Sequence, residues 1–453
     1  MKRFIWKKRF SLPEAIGMIV ITLISVAVIS YAASVPNTFV ADTVISATEV
    51  NENFQALVDA VTALEGRMDT VEANKALLLD PYLNVTTSTD NELVGPHVIF
   101  EGVNVHIRSG GGATDAAVNG LGNLIVGYNE EPPTINPGDR NGSHNIIGGS
   151  EHKYLSYGGF LAGYRNIVSN RYSSIGGGAL NEASNWYASV SGGFVNTANG
   201  YASNVSGGNE NTASGIYSSI SGGRDNSAIN NYASVSGGYQ NTANGLAASV
   251  SGGWTNTASG NYSCISGGSG NGATTLYSSV SGGSRNTASG QYASVSGGVD
   301  NMASGNSSSI SGGQENISSG SYSSVIGGND NSANSVSSSI SGGYFNQANA
   351  PYSSISGGYN NTTTGSRSSV SGGDSNEAYG LYSSVSGGYN NTANGHHSSI
   401  SGGQANTTDG YYSNVSGGRS NTATGDYSNV SGGNTRSAPG IDDWVAGGLW
   451  QDQ

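Results

Sequence analysis

Apolar side chains recur along most of this chain at a fixed spacing of fifteen residues. Val or Ile stands at Ile175 and at every fifteenth position to Val445, and Gly-Gly follows each of them two and three residues later. Representative positions are Val190, Val205 and Ile220, with Gly192 and Gly193 in the first of these repeats. A period that holds without insertion predicts that each repeat is one turn of a stacked structure, because an insertion would break the alignment of the turns.

Each repeat has room for two short strands and two turns, but not for two helices. Tyr-Ser-Ser-Val-Ser alternates like a strand, with Val facing one way and Tyr and the flanking Ser the other. The Gly-Gly pair supplies a turn that bulky residues avoid. An Asn follows six residues after each Val or Ile over the seventeen coils from Asn181 to Asn421, as in Asn196, Asn211 and Asn226. We expect these Asn side chains to stack as an amide ladder, each bonding the next coil.

The predicted fold is therefore all-β, a parallel β-roll or β-solenoid of 15-residue coils over residues 146–448. Its core is thin, because each coil offers about one Val or Ile, one Ala and several Ser. Apolar burial gives about 25 cal/mol per Å², which is small against about 1–2 kcal/mol of entropy per ordered residue. We therefore expect backbone ladders, close glycine packing and association between chains to supply the remaining stability.

A different pattern precedes the repeats, in residues 46–78. Apolar residues there alternate spacings of four and three, which is the a/d seam of a coiled coil about three heptads long. The seam residues are Val50, Phe54, Leu57, Val61, Leu64, Met68 and Val71. Ser46 or Thr48 is the expected helix cap. The segment is expected to join chains together, and the alternative is an amphipathic helix lying on the end of the solenoid.

Residues 1–33 have a basic start followed by a long apolar run. This layout predicts a secretory signal peptide, and its length also suits an uncleaved membrane anchor. Phe10-Ser-Leu-Pro-Glu14 resembles the processing site of type IV prepilins, although Arg9 stands where that family has Gly. All three interpretations place the rest of the chain outside the cytoplasm, and we expect an extracellular or cell-surface protein exported from a bacterial cell, with membrane contact only through an uncleaved N-terminus.

Two further segments flank the repeats. Residues 79–145 are interpreted as transition strands and loops, with short strands expected at 98–100 and 103–107 and degenerate repeats starting at Leu124. Residues 449–453 are interpreted as a C-terminal cap or tail.

Composition narrows the function. The formal charge is −13, from 17 basic and 30 acidic residues, which argues against nucleic acid because phosphate binding needs Lys/Arg patches. The one cysteine, Cys264, permits no disulfide within the chain. The six His are scattered, and the side chains of the adjacent pair His396-His397 diverge on a strand. We therefore expect no enzyme activity, no cofactor and no metal site.

The repeats resemble the head of YadA-like trimeric autotransporter adhesins. Ser189-Val190-Ser191-Gly192-Gly193, with Ala198-x-Gly200, matches that family's strand-turn signature. The resemblance covers about residues 122 to 448 and implies a left-handed β-roll, a homotrimer and binding to extracellular protein or carbohydrate surfaces. It also suggests that the coiled coil consists of three helices, one from each chain. The coils here are 15 residues rather than the usual 14, and no C-terminal barrel anchor is expected, which favours release or attachment through the N-terminus.

Three functions remain open at this stage. The first is a secreted or cell-surface structural, adhesin-like protein that presents a trimeric β-roll for multivalent binding. The second is a subunit of an extracellular filament, favoured by the pilin-like start. The third is a ladder-binding solenoid of the ice-binding kind, suggested by Thr residues that follow the ladder Asn in many coils, such as Thr197 and Thr212. Their row is interrupted by Gly272, Met302, Ile317, Gln347 and Glu377.

Overall fold

The computed structural model describes residues 36–38, 46–72, 82–86 and 93–446. The chain divides into two compact units, Met1–His106 and Ile107–Gln453. The predicted signal or anchor segment, 1–33, and the predicted tail, 449–453, lie outside the described residues.

Among the described residues of the first unit, one helix, α1, spans Ala47–Glu72. Ser46 caps it: the Glu49 amide donates to Ser46 Oγ at 3.2 Å, and the Ser46 amide donates to Glu49 Oε2 at 3.1 Å. These reciprocal bonds satisfy two donors that a helix start leaves free. The seam predicted from the heptads lies on this helix, and most of its side chains are exposed in the single chain.

A short antiparallel pair follows, formed by β1 (Leu83–Thr86) and β2 (His97–Phe100). The expected strand at 103–107 was wrong. Val103, Val105 and Ile107 are exposed in irregular backbone, and no strand is paired with this segment in the described part of the chain.

The second unit is a parallel β-solenoid of two sheets, which we call the valine sheet and the alanine sheet. The valine sheet consists of β3 (Leu124–Val126), β4 (Ile146–Ser150), β6 (Phe160–Tyr164) and the even-numbered strands β8 to β44, which are Ser174–Ile175, Ser189–Val190, Asn204–Val205, Ser219–Ile220, Ser234–Val235, Ser249–Val250, Cys264–Ile265, Ser279–Val280, Ser294–Val295, Ser309–Ile310, Ser324–Val325, Ser339–Ile340, Ser354–Ile355, Ser369–Val370, Ser384–Val385, Ser399–Ile400, Asn414–Val415, Asn429–Val430 and Trp444–Val445.

The alanine sheet consists of β5 (Lys153–Tyr154), β7 (Ile167–Val168) and the odd-numbered strands β9 to β43, which are Glu182–Ala183, Thr197–Ala198, Thr212–Ala213, Ser227–Ala228, Thr242–Ala243, Thr257–Ala258, Gly272–Ala273, Thr287–Ala288, Met302–Ala303, Ile317–Ser318, Ser332–Ala333, Gln347–Ala348, Thr362–Thr363, Glu377–Ala378, Thr392–Ala393, Thr407–Thr408, Thr422–Ala423 and Ser437–Ala438.

Coil length changes along the solenoid. Leu124 pairs with Ile146, Ile146 with Phe160, and Phe160 with Ser174, so coils of 22, 14 and 14 residues come first. From β8 onward each strand pairs with the one 15 residues later, as in Val190 with Val205. The 14-residue coils are shorter at the first turn: Ile147 precedes the left-handed Gly149 by two residues, whereas Val190 precedes Gly193 by three.

The interior is a stack of one repeated layer. Val190 and Ala198 are 0–1 % exposed and face each other between the sheets, and the same holds in the coils above and below. Regular coils spaced by about 4.8 Å give β8 to β44 a length of about 90 Å. The prediction of an all-β parallel solenoid is confirmed.

Candidate functional site

The first corner of each regular coil from Asn181 to Asn421 is closed by a fully buried asparagine. In Asn196 the side-chain amide donates to Gly192 O at 3.1 Å and to Gly208 O at 2.9 Å, and Oδ1 accepts from the Asn211 amide at 3.0 Å. The Asn ladder thus runs mainly from side chain to backbone, rather than from amide to amide. Each Asn thus provides hydrogen-bond partners for backbone carbonyl and amide groups of the turn in its own coil and in the next. A buried group of this kind left without a partner would cost about 1–3 kcal/mol.

His152 takes the place of the ladder Asn in an early coil. It is fully buried, its Nδ1 accepts from the Asn166 amide at 3.1 Å, and Nε2 lies 3.1 Å from Gly148 O. This arrangement requires a neutral ring with its proton on Nε2. Burial lowers the pKa of His152, and the nearby Arg140 lowers it further.

The two glycines of each turn have different roles. Gly193 has φ +93°, and a Cβ there would overlap Gly208 O in the next coil. Glycine is therefore required at the second position. At Gly192 no atom lies within 4 Å of where a Cβ would be, and φ is outside the left-handed region. The same is true of this first glycine in the coils to Gly402, apart from one contact at 4.0 Å beside Gly237.

The outer face of the valine sheet is a strip of small side chains, which we call the serine strip. Ser189 and Ser191 flank the inward Val190, and Gly192 follows them. Cys264 occupies the position of Ser189 in its own coil and is exposed. Near the end of the solenoid, Trp444 Nε1 donates to Ser431 Oγ at 2.9 Å. An aromatic ring can therefore lie directly on the strip.

The second corner carries a row of exposed tyrosines, which stand three residues before the valine-sheet Val or Ile in twelve of the eighteen coils from Tyr172 to Tyr427. This tyrosine row consists of Tyr172, Tyr187, Tyr217, Tyr232, Tyr262, Tyr277, Tyr292, Tyr322, Tyr352, Tyr382, Tyr412 and Tyr427. Where they are adjacent, the rings stack, with centroids 5.1 Å apart in Tyr262–Tyr277 and 5.4 Å in Tyr172–Tyr187.

The residues of the tyrosine row have a strained backbone conformation. All twelve residues have φ between +55° and +60°, a region that bulky residues rarely enter and that costs about 1–2 kcal/mol per residue. Neither burial nor packing in the core explains Tyr here, because the rings are 41–66 % exposed. Every coil holds this conformation whatever residue stands there, so the strain belongs to the turn. The presence of a bulky ring at most of these strained, exposed positions points to a role at the surface.

The outer face of the alanine sheet carries the Thr row, in register at Thr197 and Thr212. The structure places Gly272, Met302, Ile317, Gln347 and Glu377 in the same row, so it is not a continuous flat Thr array. The first corner carries a few ion pairs between coils. Arg285 binds Asp300 through two bonds of 2.6 and 2.7 Å, which lowers the pKa of Asp300.

Two rows of left-handed residues were not predicted from the sequence. One is the tyrosine row, and the other passes through residues such as Glu210, Asp225 and Asn360, one residue before each ladder Asn. Asp225 and Asn360 tolerate that conformation, but Leu180, Val195 and Phe345 hold it in other coils, so the residue types of the second row gave only a weak signal. Nothing in the residue types predicted it for Tyr.

His396 and His397 contact different partners. The His397 ring stacks between Tyr382 and Tyr412, at 4.8 and 4.7 Å, and His396 Nδ1 accepts from the Leu381 amide at 3.0 Å. Across residues 36–38, 46–72, 82–86 and 93–446, no group of three His, Cys, Asp or Glu side chains is arranged to hold a metal ion. The surface instead offers hydroxyls, amides and aromatic rings in straight rows.

No family model matches the chain, and no curated protein matches it either. Within the described residues, no helix combines the length and the apolar character needed to cross a membrane.

Proposed function

We propose that this chain is an extracellular structural protein of the adhesin-like kind, which presents a repetitive β-solenoid for multivalent binding. The observation that carries the proposal is the in-register pairing from β8 to β44, which places each outward position in a straight row. Identical weak contacts repeated along a rigid rod add up through effective concentration. The resemblance to YadA-like heads supports the same function.

The proposal includes self-association as a homotrimer, supported first by α1. Phe54, Leu57 and Met68 are 53–62 % exposed in the single chain, although they belong to a strict heptad seam. Apolar residues at a and d positions are ordinarily buried against partner helices. Two further copies of α1 would cover these side chains, and the resemblance to YadA-like heads favours a coiled coil of three helices.

The serine strip supports association along the solenoid as well. Its first glycine recurs in every regular coil, and in the coils to Gly402 neither a neighbour within the chain nor the backbone conformation requires it. Close approach by an outside surface at every coil explains this, and a second copy has the same spacing between coils. A strip about 10 Å wide and about 90 Å long offers roughly 900 Å², close to the ~800 Å² per partner of a stable interface.

Adjacent glycines provide a matched test of the strip. Gly297→Ala adds a methyl group to open space on the strip, so we expect weaker self-association with unchanged coil stability. Gly298→Ala introduces an overlap with Gly313 O at φ +91°, so we expect loss of thermal stability. Sedimentation velocity and thermal denaturation separate the two effects. Unchanged association of the Gly297 variant would show that the strip is not an interface.

Adhesion itself is tested by removing whole coils. Deleting residues 236–295 removes four coils and rejoins equivalent positions, so register is kept. Beads coated with the shortened protein should be retained less on bacterial or host surfaces than beads coated with the full chain, because avidity falls with the number of contacts. Equal retention, or no retention of either protein, would contradict the proposed function.

A further inference from the structure

The tyrosine row is interrupted in six coils. Other residues occupy its position there, namely Ala202, Ala247, Ser307, Ser337, Arg367 and His397. All six keep the left-handed backbone, with φ between +51° and +59°. The backbone is therefore the same in every coil, and only the ring is missing or replaced.

Two of these positions show what fits between tyrosines that are two coils apart. The Arg367 guanidinium lies 5.5 Å from the Tyr352 ring and 5.2 Å from the Tyr382 ring, and it also donates to Tyr382 Oη. The His397 ring stacks at 13° and 17° to the rings on either side. Each gap accommodates one planar group.

Two other gaps are filled from a neighbouring position or partly covered. Tyr201 lies beside Ala202 and contacts both Tyr187 and Tyr217 at 5.7 Å. Next to Ala247, the side chain of Leu246 is half-buried. These coils therefore offer less open space between the rings.

No ring or guanidinium fills the gaps at Ser307 and Ser337, and the neighbouring Asn306 and Val336 are exposed. The two gaps lie on either side of Tyr322, which is 66 % exposed and the most exposed ring of the row, and which has no ring neighbour in the described part of the chain. Tyr292 and Tyr352, which form the outer walls, are 51 % and 56 % exposed, within the range of the other tyrosines of the row. Both faces of the Tyr322 ring therefore lack the planar neighbour that a stacked pair such as Tyr262–Tyr277 provides.

We propose that the gaps at Ser307 and Ser337 are two binding slots for arginine side chains of a partner polypeptide. The chain's own Arg367 occupies an equivalent gap, and a guanidinium gains from stacking on both ring faces. The net charge of −13 favours approach of a cationic partner. The proposal rests on the proposed function, since it names the chemistry of the surface to which the solenoid binds.

The spacing of the slots restricts the partner. They are two coils apart, or about 9.6 Å at 4.8 Å per coil. A polyproline II segment rises about 9.3 Å over three residues and returns to the same side. Arginines at positions i and i+3 of such a segment therefore match both slots at once.

The probe is a capped peptide containing Arg-Pro-Pro-Arg, with Lys-Pro-Pro-Lys as its control, in saturation-transfer NMR on the full chain at fixed salt. We expect transfer to the arginine side-chain protons and much less to lysine, whose ammonium cannot stack. The double variant Ser307→Tyr with Ser337→Tyr fills both slots with the residue that most coils carry. This variant should keep its thermal stability and bind the arginine peptide at least about tenfold more weakly.

A gain of function gives an independent check. Arg367→Ser removes the internal guanidinium and opens a third slot, so transfer to the arginine peptide should increase. Equal binding of both peptides, or unchanged binding to the filled variant, would overturn the proposal in favour of general charge attraction. Bead retention on surfaces is measured separately: retention without slot binding would refute only the slots, and slot binding without retention would refute only the adhesive function.

Discussion

Replacing one ladder asparagine in the middle of the solenoid should break the protein at that coil. In Asn301, Oδ1 accepts from the Asn316 amide at 3.0 Å, and the side-chain amide donates to Gly297 O and Gly313 O, both at 3.0 Å. Asn301→Ala leaves the buried Asn316 amide and the carbonyl of the half-buried Gly297 without partners, whereas Gly313 O keeps the Val299 amide. At about 1–3 kcal/mol for each orphaned group, we expect a loss of about 2–6 kcal/mol.

Hydrogen exchange and urea unfolding together measure this loss. Repeat proteins lose stability locally, so the amides of the coils around position 301 should exchange faster, and the unfolding curve should develop an early phase. The control is Asn306→Ala, where the exposed side chain bonds only Ser307 Oγ and the change should stay within about 0.5 kcal/mol. If Asn301→Ala costs less than about 1 kcal/mol and its neighbours stay protected, the ladder does not hold the coils together.

Two other predictions follow from buried polar groups. The pKa of His152 is lowered in the folded chain, so the unfolded chain takes up a proton first, near pH 6.5. The stability that the neutral His152 contributes is therefore fully present above about pH 6.5 and falls as the pH drops below that value. His152→Asn keeps both ladder bonds, so the melting temperature of this variant should depend less on pH in this range. The buried Ser218 hydroxyl has no partner, whereas Ser203 Oγ donates to Gly200 O at 2.8 Å. By differential scanning calorimetry, Ser218→Ala should be neutral or stabilising and Ser203→Ala destabilising by about 1 kcal/mol; the reverse order would contradict the assignment.

The periodic residues were enough to predict the solenoid, because each one has a role that repeats with the coil. Val190 fills the interior and Asn196 closes the corner. Only glycine fits at position 193, because any Cβ there would overlap the next coil. Local patterns of this kind determine the fold when every coil imposes the same requirement on the next.

Other features depend on how the coils are placed in three dimensions, and the sequence did not reveal them. The left-handed backbone at Tyr322 contradicts the ordinary preference of that residue, so a reading from propensities misses it. The prediction of a strand at 103–107 was wrong because alternating apolar residues form a β-strand only where a second strand is available for pairing. The role of His152 depends on a coil one residue shorter, which places it where other coils have Asn.

The native mass in solution tests the central claim most directly. Light scattering after size-exclusion chromatography should be run on the mature protein with and without residues 46–78. We expect three times the chain mass for the mature protein and a smaller, dissociating species once α1 and its exposed seam are removed. A monomer in both cases would contradict the account, because the seam of α1 and the serine strip would then have no partner to cover them.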